Sequence, residues 1–133
     1  MTFHEATRRI LVVEDDPSIS ELIAWALDDA GFDVRTAPTL AEALAIVQQD
    51  EPDLVVADFL LPDGLGSELV RRIRQHDGVA TLVMSSHPSA REHGASVGAD
   101  ACLPKPFDLD EFFETVETLL QHGPGDHSWS VND

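Results

Sequence analysis

Short strand-like runs at residues 10–13, 34–37, 54–57, 79–84 and 101–103 alternate with segments of helical periodicity, so the chain reads as five repeats of strand then helix. Alternation of this kind implies an α/β fold with a parallel sheet covered by helices on both faces. Right-handed crossovers leave few ways to connect it. The run Leu54-Val55-Val56-Ala57 is apolar on both faces, as suits a central strand buried from two sides. Val34-Arg35-Thr36-Ala37 is more polar and fits a sheet edge. The 133 residues, 43% of them hydrophobic, suffice for one domain with a core that needs no disulfide.

Local signals mark the helix ends. Asp16 reads as an N-cap with Pro17 at the first helical position, and Gly31 closes that helix. Apolar residues at 19, 22, 23, 26, 27 and 30 form its stripe, and Trp25, between Ala24 and Ala26, reads as packing. Thr39 with Glu42, and Asp108 with Glu111, are capping-box patterns for two later helices. Leu40, Ala43, Leu44 and Val47 give one buried face; Leu69, Val70 and Ile73 give another. Residues 88–97 carry a weaker helix, with Gly94 inside it. Leu109, Phe112, Phe113, Val116, Leu119 and Leu120 make the last helix strongly amphipathic. Residues 1–122 form the domain and residues 123–133, which include Trp129, a tail or linker.

Ligands of such sheets bind beyond the carboxyl ends of the strands, where the strand order reverses. Glu14 and Asp15 follow the first strand, Asp58 the third and Ser85 the fourth, and Lys105 lies just past the fifth. Lys105 is the only lysine in a chain with 25 acidic and 8 basic residues. Carboxylates and one ammonium at a common sheet edge suit a hard metal ion and a phosphoryl group. The net charge of −17 argues against non-specific nucleic-acid binding or attraction to an anionic membrane. Cys102 is the single cysteine, so no internal disulfide forms. No signal-peptide core or membrane-length run is present, and a cytoplasmic location is the default expectation. The six histidines are scattered without metal-site spacing and read as solvated positions.

Four motifs then occur in order: Val12-Val13-Glu14-Asp15-Asp16-Pro17, Asp58-Phe59-Leu60-Leu61-Pro62, Met84-Ser85-Ser86 and Lys105-Pro106-Phe107, with Gly98-Ala99-Asp100 as a softer fifth. On these residues the chain closely resembles the receiver domain of two-component response regulators, over residues 8–121. The resemblance implies a doubly wound (βα)5 fold with flavodoxin-like strand order 2-1-3-4-5. It implies Asp58 as phosphoacceptor, and Glu14, Asp15, Asp58 and the main-chain carbonyl of Leu60 as ligands of Mg²⁺. It implies Ser85, with the small Ser86 beside it, as the hydroxyl that follows the phosphoryl group. Lys105 then contacts phosphate, and its bond to Pro106 is typically cis. The implied partners are a histidine kinase or histidine phosphotransfer protein and a downstream protein, with a homodimer possible and no direct nucleic-acid binding. The implied role is phosphoacceptor, not enzyme, beyond self-phosphorylation and self-dephosphorylation.

The sequence also departs from that family. Cys102 stands where an aromatic is common, and Leu65 where an aspartate usually precedes the glycine matching Gly66. The segments before the fourth strand and around the fourth helix are shortened. Two other functions stay open at this point. One is a phosphorylation-independent interaction module that keeps the fold. The other is an aspartyl-nucleophile phosphatase, which Leu60, at the place of the usual second acid, disfavours. Too few residues follow the last helix for a DNA-binding output domain, so the expectation is a single-domain regulator or a fragment of a longer protein.

Overall fold

A computed structural model describes residues 7–76, 78–86, 92 and 98–122. Five parallel strands form the sheet: β1 (Arg9–Val13), β2 (Asp33–Ala37), β3 (Leu54–Asp58), β6 (Ala80–Ser85) and β7 (Ala101–Pro104). Their order is β2-β1-β3-β6-β7. Counting these five alone, that is the expected 2-1-3-4-5, with Val34–Ala37 at an edge and β3 in the centre. Two further short strands, β4 (Leu60–Leu61) and β5 (Gly64–Leu65), pair antiparallel as a small hairpin after β3. Among the described residues the helices are α1 (Pro17–Asp29), α2 (Leu40–Gln49), α3 (Gly66–Ile73) and α4 (Leu109–His122). The helix expected over residues 88–97 lies outside the described residues apart from Glu92, as does the expected tail over residues 123–133 with Trp129.

Strand periodicity divides the core in two, because successive side chains point to opposite faces. Ile10, Val12, Leu54, Val56, Leu82 and Met84 pack on one face with Ile23 and Leu27 of α1 and Phe112, Val116 and Leu119 of α4. Leu11, Val13, Val55 and Ala57 pack on the other with Leu40, Ala43 and Val47 of α2 and Leu69 and Ile73 of α3. Each fully buried side chain of this size contributes about 1.5–3 kcal/mol. A third, small cluster gathers Phe59, Val70, Val83, Ala99 and Cys102.

The helix-end signals act as expected. Asp16 Oδ1 accepts from the amides of Ser18 and Ile19, Thr39 Oγ1 from Glu42, and Asp108 Oδ1 from Glu111. Gly31 follows α1 at φ 98°, a left-handed conformation that only glycine adopts without strain. Asp100 explains the Gly98-Ala99-Asp100 motif: its carboxylate accepts from Thr81 N (2.8 Å) and Thr81 Oγ1 (3.1 Å), fixing the entry to β7 beside the start of β6.

Part of the reading of α1 fails. Trp25 is 64% exposed and Leu22 53% exposed, and Ala30, at the C-cap, is exposed too, so Trp25 is not a packing residue and Leu22 and Ala30 lie outside the buried stripe. The reason is angular. The buried arc of α1 runs through Ile23, Ala26 and Leu27, and residue 25 sits about half a turn from residues 23 and 27.

Candidate functional site

Strand register assembles the site. In the β1–β3 ladder Val13 is opposite Ala57, so Glu14 and Asp15 emerge from the sheet beside Asp58, the last residue of β3. Parallel pairing also aligns Asp58 with Met84, and Ser85 with Pro104. The site therefore lies at the reversal of strand order, between β1 and β3. Carboxylate oxygens of Glu14, Asp15 and Asp58 lie within 4.8 Å of one another.

Burial differs sharply within this trio. Glu14 is 3% exposed, Asp58 half-buried and Asp15 exposed. Glu14 N donates to the Ala37 carbonyl, which holds the residue at the strand end. Its Oε1 accepts a long bond from Asp16 N, while Oε2 is buried without a hydrogen-bond partner. Loss of water pushes the Glu14 carboxyl up to about 7, and the Asp58 charge beside it adds to the rise; Lys105 opposes it.

Lys105 reaches back over the trio. Its Nζ is 3.3 Å from Asp58 Oδ2 and 3.7 Å from Glu14 Oε2. Its backbone is tied down as well, since Lys105 N donates to the Ser85 carbonyl at 2.7 Å. The Lys105–Pro106 bond is cis. Ser85 is buried at the end of β6, and Ser86, next in the chain, is exposed. The structure thus brings Glu14, Asp15, Asp58, Ser85 and Lys105 to one edge. Leu60 follows on the exposed hairpin, paired with Leu65.

A divalent cation fits these residues. A buried carboxylate oxygen lacks a partner, and two further carboxylates stand beside it. Hard oxygen donors with room for water and phosphate oxygens are what Mg²⁺ prefers. Glu14, Asp15 and Asp58, with the Leu60 carbonyl, are the residues that would hold it.

Sequence reasoning missed one residue near the site. Asp63, read as turn chemistry, does sit in the hairpin turn. Its carboxylate, however, accepts from Leu40 N and Ala41 N at the start of α2. No local pattern signals a cap supplied from 23 residues away. Leu65, where an aspartate was the expected residue, occupies the N-cap of α3 and gives it no side-chain hydrogen bond. Cys102 is buried in the small cluster with Phe59, the residue after Asp58.

Residues 10–117 match the family described as response regulator receiver domain. The chain is 35% identical to the transcriptional regulatory protein TrcR of Mycobacterium tuberculosis, with 94% of this chain and 52% of that protein covered. It spans about half the length of the curated relatives it matches. The non-phosphorylated HemR receiver domain from Leptospira biflexa superposes with a TM-score of 0.77 at 33% identity, over 86% of this chain and 94% of that one. The response regulator TrrA of Thermotoga maritima, solved in complex with Mg²⁺ and BeF, superposes with a TM-score of 0.77 at 32% identity, over 85% and 99%.

Proposed function

The chain belongs to the response regulator receiver family, and from that premise we propose that it is a phosphoacceptor, phosphorylated on Asp58 by a histidine kinase or histidine phosphotransfer protein with Mg²⁺. The observation that carries this reading is the ammonium of Lys105 at 3.3 Å from Asp58, within a trio of carboxylates whose oxygens lie 4.8 Å or less apart. The resemblance to a receiver solved with Mg²⁺ and BeF supports the same cation here.

Phosphoryl transfer asks mainly for positioning and charge neutralisation. An oxygen of Asp58 attacks phosphorus; the new O–P bond forms as the bond to the donor's imidazole nitrogen breaks, and that nitrogen keeps the electron pair. Mg²⁺ on Glu14, Asp15, Asp58 and the Leu60 carbonyl would supply positive charge to the phosphoryl oxygens. Lys105 adds a compact point charge from the other side. The hydroxyl of Ser85 then donates to a phosphoryl oxygen, with the small Ser86 next to it in the chain and the cis bond to Pro106 following Lys105. That bond draws the end of β6 inward and biases a pre-existing two-state equilibrium that a downstream protein, or a second copy of the chain, reads. Leu60 stands two residues after Asp58, where aspartyl-nucleophile phosphatases commonly carry a second acid, which disfavours hydrolysis of external substrates.

The test is incubation with Mg²⁺ and acetyl phosphate, followed by intact mass. The expected result is a phosphoryl adduct on the wild type and none on Asp58→Asn. An unmodified wild type would favour the phosphorylation-independent interaction module. An adduct that persists in the variant would move the acceptor elsewhere.

A further inference from the structure

The segment between Asp58 and Gly66 is fixed at two points. The first is the phosphoacceptor itself. Gly66 N donates to the Phe59 carbonyl at 2.6 Å. The Gly66 backbone also approaches so closely that an added Cβ would fall 2.5 Å from the Asp58 carbonyl oxygen. The second point is α2. Asp63 Oδ1 accepts from Leu40 N at 2.8 Å and Oδ2 from Ala41 N at 3.0 Å, the first two amides of that helix. A carboxylate is favoured there, because these amides lack partners within the helix and carry its positive dipole end. Both bonds hold the Asp63 carboxyl below its usual range.

The body of the hairpin rests on the same helix. Leu61 is buried in the cluster with Leu40 and Ala43. Gly64 packs closely on that helix, since a Cβ there would meet Leu40 Cδ2 at 2.9 Å and the leucine side chain would have to shift. Leu60 lies between the two anchors, within the hairpin.

We propose that Asp63 is a positioning residue for the cation site. By holding the first amides of α2 it sets where the hairpin presents the Leu60 carbonyl, and it couples cation occupancy to the order of the α2 start. The inference rests on the phosphoacceptor reading for the role of that carbonyl. Coupling of this kind is reciprocal. Cation binding should therefore protect the Leu40 and Ala41 amides by the factor by which an ordered α2 start favours the cation.

Two measurements without a phosphodonor test it: Mg²⁺ affinity by titration, and hydrogen exchange of the Leu40 and Ala41 amides with and without Mg²⁺. Asp63→Ala should bind Mg²⁺ about fivefold more weakly or worse, the lower range of such couplings. The Mg²⁺-dependent protection of both amides should vanish with it. Thr39→Ala strips another cap from the same helix end but leaves the hairpin attached, so its affinity should fall by clearly less than that of Asp63→Ala. Removing a charge alone would also weaken binding, but that effect is screened at high salt, whereas lost positioning persists. Asp63→Asn keeps one acceptor and should fall between; it stands in if Asp63→Ala does not fold. Equal losses in Asp63→Ala and Thr39→Ala, a loss that disappears at high salt, or unchanged affinity in a folded variant would each overturn the proposal. A wild type that binds no Mg²⁺ would instead remove the phosphoacceptor reading, and this inference with it.

Discussion

Glu14 Oε2 is buried without a hydrogen bond, and the cation facing it among the described residues, the Lys105 ammonium at 3.7 Å, stands nearer to Asp58 at 3.3 Å. The lysine is shared, and Glu14 receives the smaller part. A desolvated carboxyl with a second carboxylate beside it holds its proton longer than one in water, hence the rise to about 7.

The sign of the stability effect follows from linkage. In the unfolded chain Glu14 titrates near its ordinary value of 4.5. Between there and about 7 the folded state binds the proton that the unfolded state has released. Folding stability should be highest in this respect below the unfolded value, fall as pH rises towards 7, and stay level above it. Urea unfolding midpoints should therefore drop between about pH 5 and about pH 8 without Mg²⁺. The drop should shrink in Glu14→Gln, and Mg²⁺ should restore more stability at the upper pH than at the lower. A wild type and a Glu14→Gln variant with parallel pH profiles would contradict this.

Gly66 is set by space and not by backbone conformation. A methyl group there would meet two backbone neighbours, the Asp58 carbonyl oxygen at 2.5 Å and the Phe59 Cα at 3.1 Å. Backbone cannot rotate away as a side chain can. Gly66→Ala should cost about 1–3 kcal/mol by overpacking, despite the better helix propensity of alanine. The movement also reaches Asp58, so acetyl phosphate should modify the folded variant more slowly than wild type. A stability equal to wild type, read from urea midpoints, would show that α3 can shift freely.

At Leu65 the chain departs from its family in a way that can be reversed. Leu65 is the N-cap of α3, with extended backbone and no side-chain hydrogen bond to the first turn. It is 45% exposed, so little burial is at stake. Aspartate at an N-cap accepts from the second or third amide, and the gain over a non-capping residue is about 0.5–2 kcal/mol. Leu65→Asp should raise the urea midpoint, less so at low salt, where the acidic surface opposes another charge. An unchanged or lower midpoint would mean that Leu65 holds the hairpin through its pairing with Leu60.

Much of this was legible because it is local or periodic. Val13 and Ala57 end apolar runs, and parallel strands side by side must deliver Glu14, Asp15 and Asp58 to one edge. Asp16, Thr39 and Asp108 cap helices that begin next to them in sequence. The clamp from Asp63 to Leu40 was not legible, because it depends on how a hairpin leans on a helix far away in the chain. Nor was the isolation of Glu14 Oε2, since burial of one member of an acidic pair and not the other is a property of the assembled edge. Trp25 was legible in principle. Residues 19, 23, 26 and 27 turn residue 25 outward, and the small neighbours Ala24 and Ala26, which suggest packing, say nothing about that angle.

Trp25 gives the last prediction. It is 64% exposed on α1, and Glu21, Asp28 and Asp29 lie three or four residues away on exposed positions of the same helix. With no core contact to lose and a better helix former in its place, Trp25→Ala should change stability by no more than about 0.5 kcal/mol. The acidic neighbours can be read separately. In a Trp129→Phe background, where Trp25 is the only indole, fluorescence should be quenched more efficiently by caesium than by iodide, because the carboxylates concentrate the cation and repel the anion. Salt should narrow the difference. Equal quenching at low salt would mean that the carboxylates do not surround the ring, and a large loss of stability in Trp25→Ala would mean that the ring is packed after all.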